Sequence, residues 1–150
     1  MRTPKETVLK FYERIRSGTA LEEATLFLTE LVLAHQVVSA PKTPIFERSP
    51  LNYADHVREM ITQYGQFSVT IEEIISEGQK VFVRWRQDGH HCSSLFGEKP
   101  TGALLVQRGS AVYRVEGEQI AEYWIQVDSA GIRAQIDGVL STKNIEPQDT

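Results

Sequence analysis

The spacing of apolar residues changes period once along this chain, near Phe67, and that change limits the folds open to it. Before Phe67 the apolar residues recur at helical spacing; after it they alternate. Thr3-Pro4-Lys5-Glu6 is a capping box with proline at the first helical position, and Val8, Phe11, Tyr12 and Ile15 follow on one face until Gly18. Thr19 to Glu22 repeats the capping pattern and predicts a second helix striped by Ala20, Ala24, Phe27, Leu28 and Leu31. After the loop "SAPKTPIFERSP", a third helix is expected from Ser49-Pro50 or Asn52, through Tyr53, Val57, Met60 or Ile61 and Tyr64, to Gly65.

Strands follow. Phe67, Val69 and Ile71 alternate, "EGQK" turns into the strand "VFVRWRQ", and "FGEKPTG" leads to a long strand from about Ala103 to Val115. "EGEQ" turns into a last strand, Ile120 to Asp128, before a short helical piece around Ile132 to Ile136. Helices first and hairpin-linked strands after imply an α+β fold, an antiparallel sheet with three N-terminal helices on one face. The expected organisation is a single domain over residues 1–140 and a polar tail at 141–150.

The helices cover only one face of that sheet. Yet Tyr123, Ile125 and Val127 oppose Trp124, and Val81, Val83 and Trp85 oppose Phe82, so both faces carry apolar residues. The simplest second cover is another copy of the chain, and a homodimer through the sheet is expected.

A chain of 150 residues can bury roughly 70% of its unfolded surface, enough for a core and a small-molecule pocket. The net charge of -4, with no basic cluster, argues against nucleic acid. No apolar run approaches the ~20 residues needed to span a bilayer, and the N-terminus lacks the apolar core of a signal peptide. The single cysteine, Cys92, suits a reducing cytoplasm, which is the expected location.

Candidate chemistry begins at Tyr123-Trp124-Ile125-Gln126-Val127-Asp128, where alternation puts Trp124, Gln126 and Asp128 on one face. Burial beside an indole disfavours a charged carboxylate and makes it a better proton acceptor, so Asp128 reads as a general acid/base. The competing reading is a cap for the following helix, since "DSAG" has that form. In "RQDGHHC", His90, His91 and Cys92 lack the paired spacing of a metal site; one histidine facing a pocket as donor or proton shuttle fits better. His35 sits where the second helix is expected to end, and either bonds the last carbonyls or faces a ligand. Arg84 and Arg86 share one face of a central strand, where they pair with acids such as Glu122 or bind an anionic or carbonyl-bearing ligand. Phosphate-binding loops, Gly-x-Ser-x-Gly and Cys-x-x-Cys are missing from the sequence, and no cofactor is expected.

The segment from about Lys80 to Ile136 resembles the SnoaL-like polyketide cyclases and ester cyclase-like proteins of the nuclear transport factor 2-like superfamily. The resemblance is carried by the histidine after a glycine, Pro100-Thr101-Gly102, Tyr-Arg-x-x-x-Gly at 113–117, Ile120-Ala121-Glu122, Trp124, and Asp128 followed by Gly131 and Gln135. It implies a cone-shaped, curved half-barrel with the helices on its concave face, a deep pocket between them, and a dimer through the sheet. It further implies a small hydrophobic or carbonyl-bearing ligand and an aldol-type ring closure without cofactor, with Asp128 as acid/base. His91, His35 and Gln126 would orient the substrate or carry protons, and Trp85, Trp124 and Tyr113 would line the wall, with Arg84 and His90 as further ligand contacts. The alternatives are a non-catalytic binding or partner-interaction module of the same fold, and an epoxide-hydrolase-like hydrolase.

Overall fold

The computed structural model describes residues 1–144. Thr3 caps helix α1 (Pro4–Phe11): its hydroxyl accepts the Glu6 N–H at 3.1 Å, and the Glu6 carboxylate accepts the Thr3 N–H at 3.1 Å. The helix widens into a π-helical turn over Tyr12–Arg16, where the Ser17 N–H bonds the Tyr12 carbonyl, five residues back, at 3.1 Å. Gly18, at φ 82°, ends it in the left-handed conformation.

The second expected helix is much shorter than its stripe suggested. It comprises a 3₁₀ turn, Leu21–Glu23, and the single turn of α2 (Ala24–Phe27), without a cap from the Thr19 side chain. From Leu28 the chain is strand β1 (Leu28–Gln36). Val32 and Ala34 are buried at strand spacing, whereas Leu31, which the helical stripe included, is exposed. The cause is tertiary: β1 pairs in parallel with β6 (Gln119–Val127) and antiparallel with β2 (Ile45–Arg48). Those distant backbone partners outweigh local periodicity.

Helix α3 (Pro50–Tyr64) follows the expected bounds, with Ser49 Oγ accepting the Asn52 N–H at 3.1 Å and Gly65 at φ 73° beyond its end. Strands β3 (Ser68–Glu77), β4 (Lys80–His90) and β5 (Leu104–Glu116) then lead into β6. The six strands run in the order β2-β1-β6-β5-β4-β3 as a curved, unclosed sheet, antiparallel except between β1 and β6. Helix α4 (Ser129–Asn144) is longer than the piece expected around Ile132 to Ile136. Residues 141–144 of the expected tail belong to it, and 145–150 lie outside the described residues. Among the described residues no helix is long and apolar enough to cross a membrane.

Aromatic contacts fix which face the helices cover. Phe11 packs 5.7 Å from Tyr113 and 5.4 Å from Tyr53, and Tyr53 lies 6.3 Å from Tyr123 (ring centroids). Directly paired residues of adjacent strands share a face, and the register runs Val81↔Tyr113↔Tyr123 and Val83↔Ala111↔Ile125. Tyr123, Ile125 and Val127 therefore face the helices, while Trp124 and Gln126 face away. This reverses the expectation for β6. The register shifts between Arg114↔Glu122 and Val115↔Ile120, so Ala121 is an extra residue and Ile120 and Ala121 are both buried. That bulge resets the alternation, and a one-residue reset moves every later side chain to the other face.

Beyond Gly109↔Val127, β6 no longer flanks β5, and α4 covers the gap. Gln135 Oε1 accepts the Val106 N–H at 2.9 Å and its amide donates to the Val106 carbonyl at 2.7 Å, as a neighbouring strand would.

Candidate functional site

The covered face encloses a cavity of about 410 Å³ between the π-helical turn, α3 and the sheet. Phe46, Val127 and Ser129, all exposed, mark its mouth; Arg16, Trp85 and Tyr113, all buried, mark its inner end. The Trp85 ring packs against β5 where position 109 is glycine: a Cβ there would come 2.5 Å from the Trp85 Cζ2. Tyr12 and Tyr113 share a hydrogen bond at 2.7 Å, and burial pushes both hydroxyls well above the ordinary tyrosine range, keeping them neutral.

The cations come from the helical segment. Arg16, at the end of the π-helical turn, is 4% exposed; its Nη2 donates to Gln87 Oε1 at 2.8 Å, and its guanidinium lies 4.9 Å from the Trp85 ring centre and 5.4 Å from that of Phe67. Arg48 lines the wall closer to the mouth, with Nη1 donating to Asn52 at 3.1 Å. His56, on α3, also lines the cavity. Burial first, then the charges of Arg48 and Arg16, push its imidazole down from 6.5 to about 4. At neutral pH it is an uncharged ring able to accept a proton. Among the described residues no Asp or Glu lines this cavity.

Of the side chains expected at a site, Trp85 and Tyr113 line the cavity. The others do not. Trp124 is on the outer face, stacked on His35 at 4.9 Å between centroids and 10° between planes. His35 is on β1 and not at a helix end; its Nε2 lies 2.6 Å from Glu122 Oε2, and Arg114 Nε donates to Glu122 Oε1 at 3.0 Å. Burial pushes the Glu122 carboxyl up, but the bonds from His35 and Arg114 outweigh it and hold it below its ordinary value. Arg84 pairs with Glu73 at 3.4 Å and Arg86 with Asp88 at 2.8 Å, so both arginines serve ion pairs on the outer face, though not with Glu122.

His91 is fully buried but holds a loop: the Thr101 N–H donates to its Nδ1 at 3.2 Å, and its backbone bonds Gly102 and Ala103. His90 is exposed at the end of β4. Asp128 is exposed as well, and its Oδ1 accepts the Gly131 N–H at 2.9 Å, capping α4. With Gln126, Arg84, Arg108 and Ser110 it lines a hollow of about 340 Å³ on the outer face. The apolar surroundings expected for Asp128 are not there, because the bulge in β6 turned its face outward.

Arg16 and His56 had signals in the sequence. Arg16 follows Tyr12 by four residues on the α1 stripe, and His56 lies between Tyr53 and Met60 on the stripe of α3. A polar residue within an apolar stripe either pairs in the core or faces a cavity.

A model of the family described as SnoaL-like polyketide cyclase matches residues 6–136. The chain belongs to that family. As a SnoaL-like protein it shares its fold, of the nuclear transport factor 2-like kind, with solved structures of low identity. One is a candidate polyketide cyclase from Acidithiobacillus ferrooxidans, 18% identical, covering 90% of this chain and 94% of its own, with a TM-score of 0.77. Another is IdmH, a candidate polyketide cyclase from Streptomyces antibioticus, 22% identical, covering 91% and 99%, at 0.76. AclR, a candidate hydroxylase from Streptomyces galilaeus, is 12% identical over 90% and 96%, at 0.72. No curated protein matches this SnoaL-like chain.

Proposed function

We propose that this SnoaL-like protein is a cofactor-independent cyclase or isomerase acting on a small, mostly apolar molecule that bears carbonyl groups. The observation that carries the reading is the cavity itself: aromatic walls, two arginines and a histidine kept neutral beside them. A proton between two carbonyls is already acidic, so one placed acceptor and one placed positive charge suffice to form an enolate. His56 is the acceptor. Arg16 and Arg48 stabilise the enolate by the same field that disfavours the imidazolium, and the walls hold the chain folded for attack on its second carbonyl. The family, and two solved relatives described as candidate cyclases, agree with this reading.

A second reading gives the proton to Asp128, whose chain neighbours Val127 and Ser129 line the cavity; its carboxylate would have to leave the cap of α4 and turn inward. A non-catalytic binding module would use the same cavity without turnover. An epoxide-hydrolase-like reaction needs two carboxylates around a water, which the described lining does not supply.

The test is a turnover screen with 1,3-dicarbonyl compounds that carry a second carbonyl in reach, with and without a chelator, on the native chain and on Met60→Trp. Met60 lines the cavity and is partly buried, so the larger ring occupies ligand space. Turnover that withstands the chelator and disappears in the filled variant is expected. Binding without turnover would favour the module; activity undiminished in Met60→Trp would move the site elsewhere.

The protein is also proposed to act as a cytoplasmic homodimer through the outer sheet face. There Phe82, Val112 and Trp124, paired across β4, β5 and β6, form a half-buried apolar row, bordered by Arg84, Arg108, Glu72 and Glu73. Both signs of charge beside one apolar row suit a self-complementary contact. Sedimentation at micromolar concentration should give twice the chain mass, and Trp124→Glu should give the monomer.

A further inference from the structure

Taking a guanidinium out of water is costly unless a carboxylate offsets the loss, and Arg16 bonds the Gln87 amide in a cavity with no carboxylate in its lining among the described residues. Its bond to Gln87 and its place against the Trp85 and Phe67 rings satisfy one nitrogen and part of its flat surface, while Nη1 has no acceptor. Trp85 Nε1 and Arg48 Nε, on the same cavity's lining, are also buried donors without acceptors. The chain carries a net charge of -4, yet the charged groups lining this one cavity are both cationic. Donors without acceptors, and positive charge without negative, define what is missing.

We infer that the inner end of the cavity is a seat for an organic anion, a carboxylate on a planar apolar body, with Arg16 as its charge partner and the Trp85 N–H as a second donor. The inference rests on the cavity reading above and adds the charge of the substrate. A neutral ketone can accept a hydrogen bond but leaves the buried guanidinium uncompensated. A carboxylate does both, and its geometry matches the planar fork of arginine. Arg48, nearer the mouth, adds attraction along the way in. An anion seated there also offsets the charges that hold the His56 imidazole down, making it a stronger proton acceptor once substrate is bound.

The probes are 2-naphthoate and its neutral counterpart 2-naphthamide, titrated calorimetrically into the full chain. The expected result is naphthoate bound at least ~10-fold more tightly than the amide, the range of a hydrogen bond to a charged group. In Arg16→Met naphthoate should lose that preference over the amide, and Arg16→Lys should restore part of it. Equal affinities in the native chain overturn the anion seat and leave the cavity reading standing. A preference that persists in a folded Arg16→Met overturns the role of Arg16, and failure of both probes to bind the native chain overturns both readings. The native comparison decides even if Arg16→Met does not fold.

Discussion

His56→Gln is expected to lower turnover of a carbonyl substrate on the order of 10²–10⁴-fold, the usual contribution of a positioned base, while Asp128→Asn leaves it nearly unchanged. Glutamine keeps a side chain of similar reach but cannot take a proton. Asparagine caps a helix as well as aspartate does, so the Gly131 bond survives and α4 keeps its start. The opposite outcome, activity lost in Asp128→Asn and kept in His56→Gln, would give the proton to the aspartate. His56 also has a signature that needs no substrate. Folded, its imidazole takes a proton only near pH 4, against 6.5 as its ordinary value. Between those values the unfolded chain binds the extra proton. This contribution to stability is therefore full above about pH 6.5 and is lost as pH falls toward 4, by at most about 3 kcal/mol. Urea melts across that window should show a shallower loss in His56→Gln than in the native chain. Parallel curves would mean that His56 meets water freely and does not belong to the cavity wall.

Trp85→Ala should cost about 3–5 kcal/mol, as for a large core aromatic removed. On a chain of this size that lowers Tm by roughly 6–20 °C. Trp85 is 1% exposed, lies across Gly109 and supports the Arg16 guanidinium, so its loss enlarges the cavity and loosens the cation together. Ligand affinity should fall with stability. Trp124→Ala should cost less than half as much and leave cavity binding unchanged, because that ring stacks on His35 on the other side of the sheet. Equal penalties, or binding lost in Trp124→Ala alone, would contradict the assignment of faces.

Much of the architecture is legible in the sequence. Thr3-Pro4-Lys5-Glu6 and Ser49-Pro50 announce helix starts because a cap is a contact between residues three apart. "EGQK" and "EGEQ" announce hairpins because a tight turn sets which residues pair on either side of it. Trp85 lies on the helix side because β4 alternates without interruption from Val81 to Gln87, and Tyr113 shares that face through its pairing with Val81 across the β4–β5 hairpin.

Three features depended on tertiary contacts. Leu28–Gln36 is a strand only because β6 and β2 lie on either side to take its hydrogen bonds, and nothing within nine residues records a β6 partner some ninety positions away or a β2 partner beyond the following loop. The bulge at Ala121 turned β6 over, moving Trp124, Gln126 and Asp128 away from the helices, since a period of two makes one extra residue a complete reversal. The site itself was assembled from Arg16 on the turn after α1, Arg48 at the end of β2 and His56 on α3, three segments with no spacing in common. The sequence by itself determined where α1 and α3 begin and where the two hairpins turn, because those signals are local. Which face became interior, and which charges share a cavity, was decided by register and packing, because those are relations between segments that meet only in the folded chain.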